Sequence, residues 1–350
     1  MKLFLSSLRS EKTKEDYLRY LEQFRQYAKF EFYDEFIERD HKQIKNIVED
    51  WVLELRETMT PNSVPTHYYS IQSFLEMNDV LLNFKKLRKL LPEKVKTAIE
   101  RGWTTEEVQK MLSVCDSLRT RAIILFEASS GGRLGVIDGL KIKHLKEITD
   151  EKHGKCYAIV GYHDEKEEYI TFLTPEATKS LDDYFNSRKN ISPDSPVFTR
   201  LNSEEEIVSK SLGKAVTYVQ RKSGLRNPKD KKGSRFNIAT NHGFRHRFNE
   251  IVKSNNVINP HIAERLLSHS SKLIPLDTIY FNPNIDTLFL EYKKLISLLT
   301  IDDSDRLLVE NQSIKVERSE YEKIKQKLEE HEQLLKIYKM TAPITKQVIS

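Results

Sequence analysis

A guanidinium, two imidazoles and a phenol follow one another in His242-Gly243-Phe244-Arg245-His246, Leu266-Leu267-Ser268-His269-Ser270 and Thr278-Ile279-Tyr280-Phe281. A second guanidinium, Arg133, stands upstream in Ser129-Ser130-Gly131-Gly132-Arg133-Leu134. These residue types suit attack of a tyrosine on a phosphodiester without a metal. Two arginines neutralise the charge on phosphorus, histidines move protons, and a phenol holds a DNA end covalently. Tyrosine has a pKa near 10, so only about one phenol in a thousand is ionised at neutral pH. Attack therefore needs a base, an electropositive site, or both. Arg133 and Arg245 are the residues for the non-bridging oxygens, because a guanidinium binds two oxygens at once and stays charged. His242 and Arg245 are three residues apart, so on a helix they face the same way, as one phosphate-sized site demands.

The order Arg133, Lys166, His242-x-x-Arg245, His269, Tyr280 resembles the tyrosine recombinase (phage-type integrase) family, nearest in arrangement to archaeal and viral members, over residues 5–295. The resemblance implies that His242 accepts the proton of the phenol and that His269 donates a hydrogen bond to the phosphate. It implies Tyr280 as the nucleophile, forming a 3′-phosphotyrosyl link. Lys166 matches the lysine that protonates the departing 5′ oxygen, a leaving group that needs an acid; Lys155 is the alternative. Tyr292 is the alternative nucleophile, although Leu288, Leu290, Tyr292 and Leu295 look like packing positions. The chain departs from the family at Ser268, where a glycine is usual, and at Val136, where an acid usually supports the first arginine. Asp138 is nearby but off register.

The function implied is a site-specific DNA recombinase that cuts and rejoins strands without metal, cofactor or ATP. A type IB topoisomerase-like relaxing enzyme and an inactive DNA-binding accessory protein are the alternatives. The implied partner is double-stranded DNA carrying a specific site, held by a homotetramer, with neither a membrane nor a small-molecule substrate.

The 350 residues exceed one comfortable core and suit two domains. No apolar run reaches eighteen residues, and the first residues are too few for a secretory signal. Cys115 and Cys156 give neither a metal spacing nor a disulfide framework. A cytoplasmic or nucleoid location in a prokaryotic host is the expectation. The net charge of +5 says little by itself, but Arg221, Lys222, Arg226, Lys229, Lys231, Lys232, Arg235, Arg245 and Arg247 crowd around the His242 box. With His246 as a weaker contributor, that stretch is expected to gather phosphates.

The elements that must position these groups are mainly helical, with a small sheet. Helices are expected over Thr13–Lys29, Ile44–Leu55 and Asn62–Met77, the last facing inward through Tyr69, Phe74 and Leu75. They make a helical DNA-binding (core-binding) domain over 1–90, followed by a linker at 91–103. The α+β catalytic domain is expected over 104–300. Leu118–Ala128 reads as a buried helix, and Tyr157–Gly161 and Tyr169–Leu173 as a hairpin around Lys166. Helices return over Pro175–Ser187, Ser209–Lys222, Gly243–Ser254 and Pro260–Leu267. Asp302-Asp303-Ser304-Asp305 reads as a break within a linker at 301–313. A possible coiled-coil helix over 314–340 and a tail at 341–350 follow. Tyr321, Ile324, Leu328, Leu335 and Tyr338 occupy a and d positions of one heptad frame, with His331 completing it.

Overall fold

The computed structural model describes residues 1–95, 101–165, 167–227, 229, 231–232, 235–254, 257–268 and 283–341, with backbone alone at 231, 232, 235 and 338–341. The chain divides into two units, Met1–Thr97 and Ala98–Ser350.

The first unit is helical: α1 (Lys2–Ser7), α2 (Glu11–Ala28), α3 (Tyr33–Ile37), α4 (His41–Thr58), α5 (Val64–Glu76) and α6 (Phe84–Arg88). Ile44, Val48, Trp51, Val52 and Leu55 of α4 recur every three or four residues and are buried, which is the stripe that makes an amphipathic helix. Asp40 starts that helix by accepting a hydrogen bond from the Lys42 amide (2.9 Å). The core is aromatic, with Phe24 meeting Phe36 and Trp51 edge-on at 5.2 and 5.9 Å. Tyr69, expected to face this core, is 41% exposed, because α5 buries the neighbouring stripe of Tyr68, Ile71 and Leu75.

The second unit begins with α7 (Thr105–Ser113), whose capping box joins Thr104 and Glu107. Then comes α8 (Leu118–Ser130), buried at Thr120 and from Ala122 through to Ser130, as its apolar run predicts. β1 (Leu145–Asp150), β2 (Gly154–Gly161) and β3 (Tyr169–Leu173) form an antiparallel sheet in that order. The expected hairpin is present, with Gly161 opposite Tyr169 and Tyr157 opposite Leu173. β1, which the polar Leu145–Asp150 segment does not advertise, pairs with the other edge of β2. The remaining elements are α9 (Pro175–Asn186), α10 (Ser209–Lys222), the two-residue strands β4 (Lys231–Lys232) and β5 (Arg235–Phe236), α11 (His242–Ser254), α12 (Pro260–Leu266), α13 (Ile285–Tyr292), α14 (Ile296–Leu299) and α15 (Asp303–Thr341). No helix among the described residues is long and apolar enough to cross a membrane.

The sheet separates two cores by its period of two. Tyr157, Ile159, Tyr169 and Leu173 join the core around α8, with Ile123, Leu181, Val216 and Phe244. Cys156, Ala158 and Phe172 join Phe248, Leu266, Tyr292 and Leu295 on the other side.

The C-terminal helix differs from expectation. It starts at Asp303, so the linker expected over 301–313 is helix from 303 on. Asp302 accepts from the amides of Ser304 and Asp305 (2.9 and 3.0 Å), and Asp303 and Asp305 lie in the first turn. Carboxylates there favour a helix start through the dipole, so the acidic run is a cap rather than a break. Glu176 fixes the residues before it, accepting from the Ile301 and Asp302 amides (2.7 and 3.0 Å).

Gly131, the residue after α8, has φ of +60°, and a Cβ there would lie 2.4 Å from Cγ of Phe248. Gly131→Ala is expected to cost at least about 1–2 kcal/mol for the left-handed backbone alone, and more for the overlap. Urea denaturation measures it, and an unchanged midpoint would contradict the requirement.

Candidate active site

α8 ends in a tight turn: Gly131 is left-handed, the Gly132 amide donates to Ser130 Oγ (3.1 Å), and Arg133 leads into a 3-10 turn over Leu134–Ile137. Arg133 is exposed; its carbonyl accepts from the Val136 amide (2.9 Å), while its guanidinium makes no hydrogen bond to a described residue. Val136 is buried in the core around α8. Asp138 is engaged elsewhere, accepting from the amide and hydroxyl of Ser209 (both 2.7 Å), so it fixes the start of α10.

Arg245, in the first turns of α11, is 5% exposed. One terminal nitrogen donates to the Gly131 carbonyl (2.8 Å) and the other to the Leu267 carbonyl. The guanidinium thereby ties the turn that presents Arg133 to the end of α12, from which the chain runs on to His269. Burial lowers its pKa, and repulsion from Arg133 lowers it further. An arginine still stays charged in a protein.

Two phenols share this locality and were not anticipated. Tyr162 is half-buried with φ of 53°, and Tyr169 is 8% exposed with no hydrogen-bond partner for its hydroxyl among the described residues. Burial raises both pKa values, and both arginines oppose the rise at each ring. Arg133 thus acts on Arg245, and both guanidiniums act on the same pair of rings. The signal available was the pair of tyrosines flanking the hairpin, Tyr162 and Tyr169.

His242 is the first residue of α11 and is exposed. Its ring meets that of His246 edge-on, with centroids 4.7 Å apart. His246 is half-buried. His242 and Arg245 share a helix but differ in depth, one at the surface and the other beneath it. Lys166, His269 and Tyr280 lie outside the described residues.

The alternatives fare differently. Lys155 is held by Asp182 (2.8 Å) and Glu147 (3.2 Å). Burial works against its charge, but hydrogen bonds to Asp182, Tyr157 and Glu147 outweigh it and raise its pKa, making it a reluctant proton donor. It also lies six residues along β2 from Gly161, roughly 20 Å for an extended strand. Tyr292 is fully buried and donates to the Ser129 carbonyl (2.9 Å), which makes it a packing residue.

The basic stretch needs correction. Arg247 is 3% exposed, donating to Thr105 Oγ1 (3.1 Å) and the Leu298 carbonyl (3.3 Å), with burial lowering its pKa to about 10. Its burial and those partners commit it to the interior of the fold. Lys222 pairs with Asp116 at 2.5 Å. Arg226 stacks over Phe236 (4.1 Å) and donates to Gln220 Oε1 (3.3 Å). Arg221 and Lys229 are exposed. Lys231, Lys232 and Arg235 have described backbone only, in β4 and β5.

Two other features bear on the second unit. A cleft of about 650 Å³ is lined by Arg119, Tyr184, Arg188, Thr199 and Glu204 among others, and Arg188 is consumed there by the Pro196 and Val197 carbonyls and Glu204. Among the described residues His163, Asp164 and Glu168 bring possible metal-ligand atoms within 4.8 Å of one another, all exposed.

No protein-family model matches the chain. It is 25% identical over 210 residues to the tyrosine recombinase XerA of Pyrococcus horikoshii, covering 58% of this chain and 67% of that protein. Its fold is similar to that of the XerH site-specific recombinase in a post-cleavage complex with a palindromic difH substrate, with a TM-score of 0.53 and 16% identity over 81% of this chain and 79% of that one. It is similar also to a lambda integrase tetramer bound to a Holliday junction, with a TM-score of 0.52 and 15% identity over 78% and 73% of the two chains. The fold expected from the sequence, mainly helical with a small sheet, is the fold found.

Arg245→Lys is expected to destabilise the protein by roughly 1–3 kcal/mol, because a lysine cannot serve both carbonyls and one is left buried and unpaired. Chemical denaturation checks this, and wild-type stability would show that the two contacts carry no weight.

Proposed function

We propose that this chain, a member of the tyrosine recombinase family, is a site-specific DNA recombinase that cuts and rejoins DNA through a 3′-phosphotyrosyl intermediate. The observation that carries the reading is Arg245: one buried guanidinium holds both the Gly131 turn, which presents Arg133, and Leu267, which leads to His269. The fold it shares with recombinases bound to DNA supports double-stranded DNA as the partner.

In the proposed reaction Tyr280 attacks the scissile phosphorus and its proton passes to His242. Arg133 and Arg245 stabilise the charge that develops on the non-bridging oxygens, where a preorganised donor is worth roughly a hundred- to a thousandfold in rate. His269 donates to the same phosphate. Lys166 protonates the departing 5′ oxygen, and Lys155 is unsuited to that role because Asp182 and Glu147 hold its ammonium. The phosphotyrosyl bond keeps the energy of the broken linkage, so a second 5′ hydroxyl reverses the attack without ATP.

The exposed cations Arg221 and Lys229, with Lys231, Lys232 and Arg235, are proposed to meet the phosphate backbone, which positions the protein without reading sequence. The helical unit at the N-terminus serves as a second DNA-binding domain in this reading, and a homotetramer is the working assembly. The apolar residues Leu288, Phe289 and Leu295 of the segment after Tyr280 are buried within the chain, whereas Leu290 is 53% exposed. The described part of the heptad stripe on α15 offers a longer surface: Tyr321, Ile324, Leu328 and Leu335 are 55–68% exposed.

A nicked suicide duplex is expected to trap a covalent adduct with the wild-type protein, in EDTA as well as without it, and none with Tyr280→Phe. An adduct that survives in Tyr280→Phe would remove the nucleophile assigned here. Dependence on a specific pair of DNA sites separates recombination from relaxation of any supercoiled plasmid. Deleting residues 314–350 is expected to weaken assembly on paired sites, measured by sedimentation, while single-site cleavage stays within about threefold. Unchanged assembly would exclude α15 as the pairing surface.

A further inference from the structure

Glu127 is a carboxyl in the middle of an apolar helix. It is 1% exposed, inside α8, between Phe126 and Ala128. Its Oε2 accepts from Asn241 Nδ2 at 2.9 Å, and its Oε1 has no partner among the described residues. Asn241 immediately precedes His242. The residue before it, Thr240, is held by the same device from two other directions. Trp103 Nε1 and Gln220 Nε2 both donate to its carbonyl, at 3.0 and 3.1 Å. Three side chains from separate parts of the chain therefore fix the two residues that lead into α11. That helix then carries His242 on its first turn and Arg245 beneath it.

We propose that Glu127 is a positioning residue for strand cleavage: through Asn241 it sets the start of α11, and so the placement of His242 and Arg245 against the Arg133 turn. The proposal rests on the recombinase reading above. A polar group buried in this way is costly unless it serves its one partner well, and a hydrophobic residue would pack the site without that cost. The carboxyl stands four residues before Gly131, so one helical turn links the group that holds α11 to the carbonyl that Arg245 caps.

The protonation state is set by the surroundings. The elements packed on α8 are α7, α9, α10, α11 and β3, and no charged or titratable group on them shifts Glu127. Burial raises its pKa to about 8, and the hydrogen bond from Asn241 opposes the rise. An ordinary carboxyl in the unfolded chain titrates near 4.5. Folded stability from this group is therefore complete below about pH 4.5 and is lost as pH rises toward 8, where the folded carboxyl ionises. Above that value a buried charge with no counter-ion sits one hydrogen bond from Asn241, the residue before His242. Cleavage is then expected to fall on the alkaline side.

The test measures the rate of covalent adduct formation on a nicked duplex between pH 6 and 9, with duplex affinity measured alongside. Glu127→Met is expected to slow adduct formation at least tenfold at pH 7 with affinity within threefold of wild type. Glu127→Gln, which keeps an acceptor for Asn241 but cannot ionise, is expected to recover the neutral-pH rate and to lack the loss near pH 8. A folded Glu127→Met that cleaves at the wild-type rate would overturn the proposal, as would an unchanged alkaline limb in Glu127→Gln. If Glu127→Met does not fold, Asn241→Ala decides: a tenfold slower adduct supports the positioning role and a wild-type rate refutes it. A wild-type protein that forms no adduct defeats the recombinase reading itself, and this proposal with it. A wild-type adduct with indifferent Glu127 variants defeats this proposal alone.

Discussion

Three consecutive carbonyls close the C-terminal end of α8, and each is capped by a side chain from a different element. Tyr292 of α13 donates to Ser129 O, Thr171 of β3 to Ser130 O, and Arg245 of α11 to Gly131 O, all at 2.8–2.9 Å. A helix end leaves its last carbonyls without intrahelical partners, and burial makes each one expensive to leave unmade. Satisfying them here does more than end a helix. It fastens the turn carrying Arg133 to the sheet, to α11 and to the segment after the candidate nucleophile. The placement of the two guanidiniums relative to each other depends on that junction. Replacing any one donor loosens a side of it while leaving the other two.

The same junction explains how much of the molecule could be read from its sequence. Apolar periodicity located α2 and α4 and an unbroken apolar run located α8, while α10 agrees at both ends because Ser209 and Lys222 bound a clean amphipathic run. Short elements such as α1, α3, α6 and β1 escaped, since five or six residues carry too little pattern to exceed their surroundings. The acids at 302–305 misled because the same residue types break a helix interior and begin a helix, and only the pattern of the next few turns distinguishes the two. At the candidate site, the helix shared by His242 and Arg245 was legible from their spacing, though not their difference in depth. Their supports were not: Glu127 was absorbed into an apolar run, although a lone carboxylate after Ile123-Ile124-Leu125-Phe126 is itself a signal, because a charge is rarely buried without purpose. Tyr292 was rightly set aside as packing, yet its hydroxyl has a carbonyl to cap.

Counting cations along the chain overstated the electrostatic surface. Proximity in sequence placed Arg247 beside Arg245, but 3.6 residues per turn send two residues' separation to different sides of a helix. Arg247 then fills a buried position between Thr105 and Leu298, and Arg226 lies flat on Phe236. The guanidinium is suited to all these tasks, because its plane stacks and its fork meets carbonyls as readily as phosphates. What separates a structural arginine from a phosphate ligand is therefore its remaining donors and exposure. By that measure Arg133 is the open group at the site, and Arg245 is committed in part to holding the site together.

The C-terminal helix obeys a different logic. Its start is fastened by Glu176 and Asp302, and its next turns reach the β1–β2 connection, where Gln312 donates to Glu151 O and Lys152 lies 3.7 Å from Glu317 and Glu320. These contacts fix the direction in which α15 leaves the second unit. Beyond Glu320 the apolar stripe faces water, and helices in proteins draw most of their stability from packing such a face. The surface charges contribute only a few tenths of a kilocalorie per pair, as between Lys325 and Glu329. A helix anchored at one end and bare along an apolar stripe is stabilised when a second copy covers that stripe. The polar His331 within the frame keeps such pairing modest.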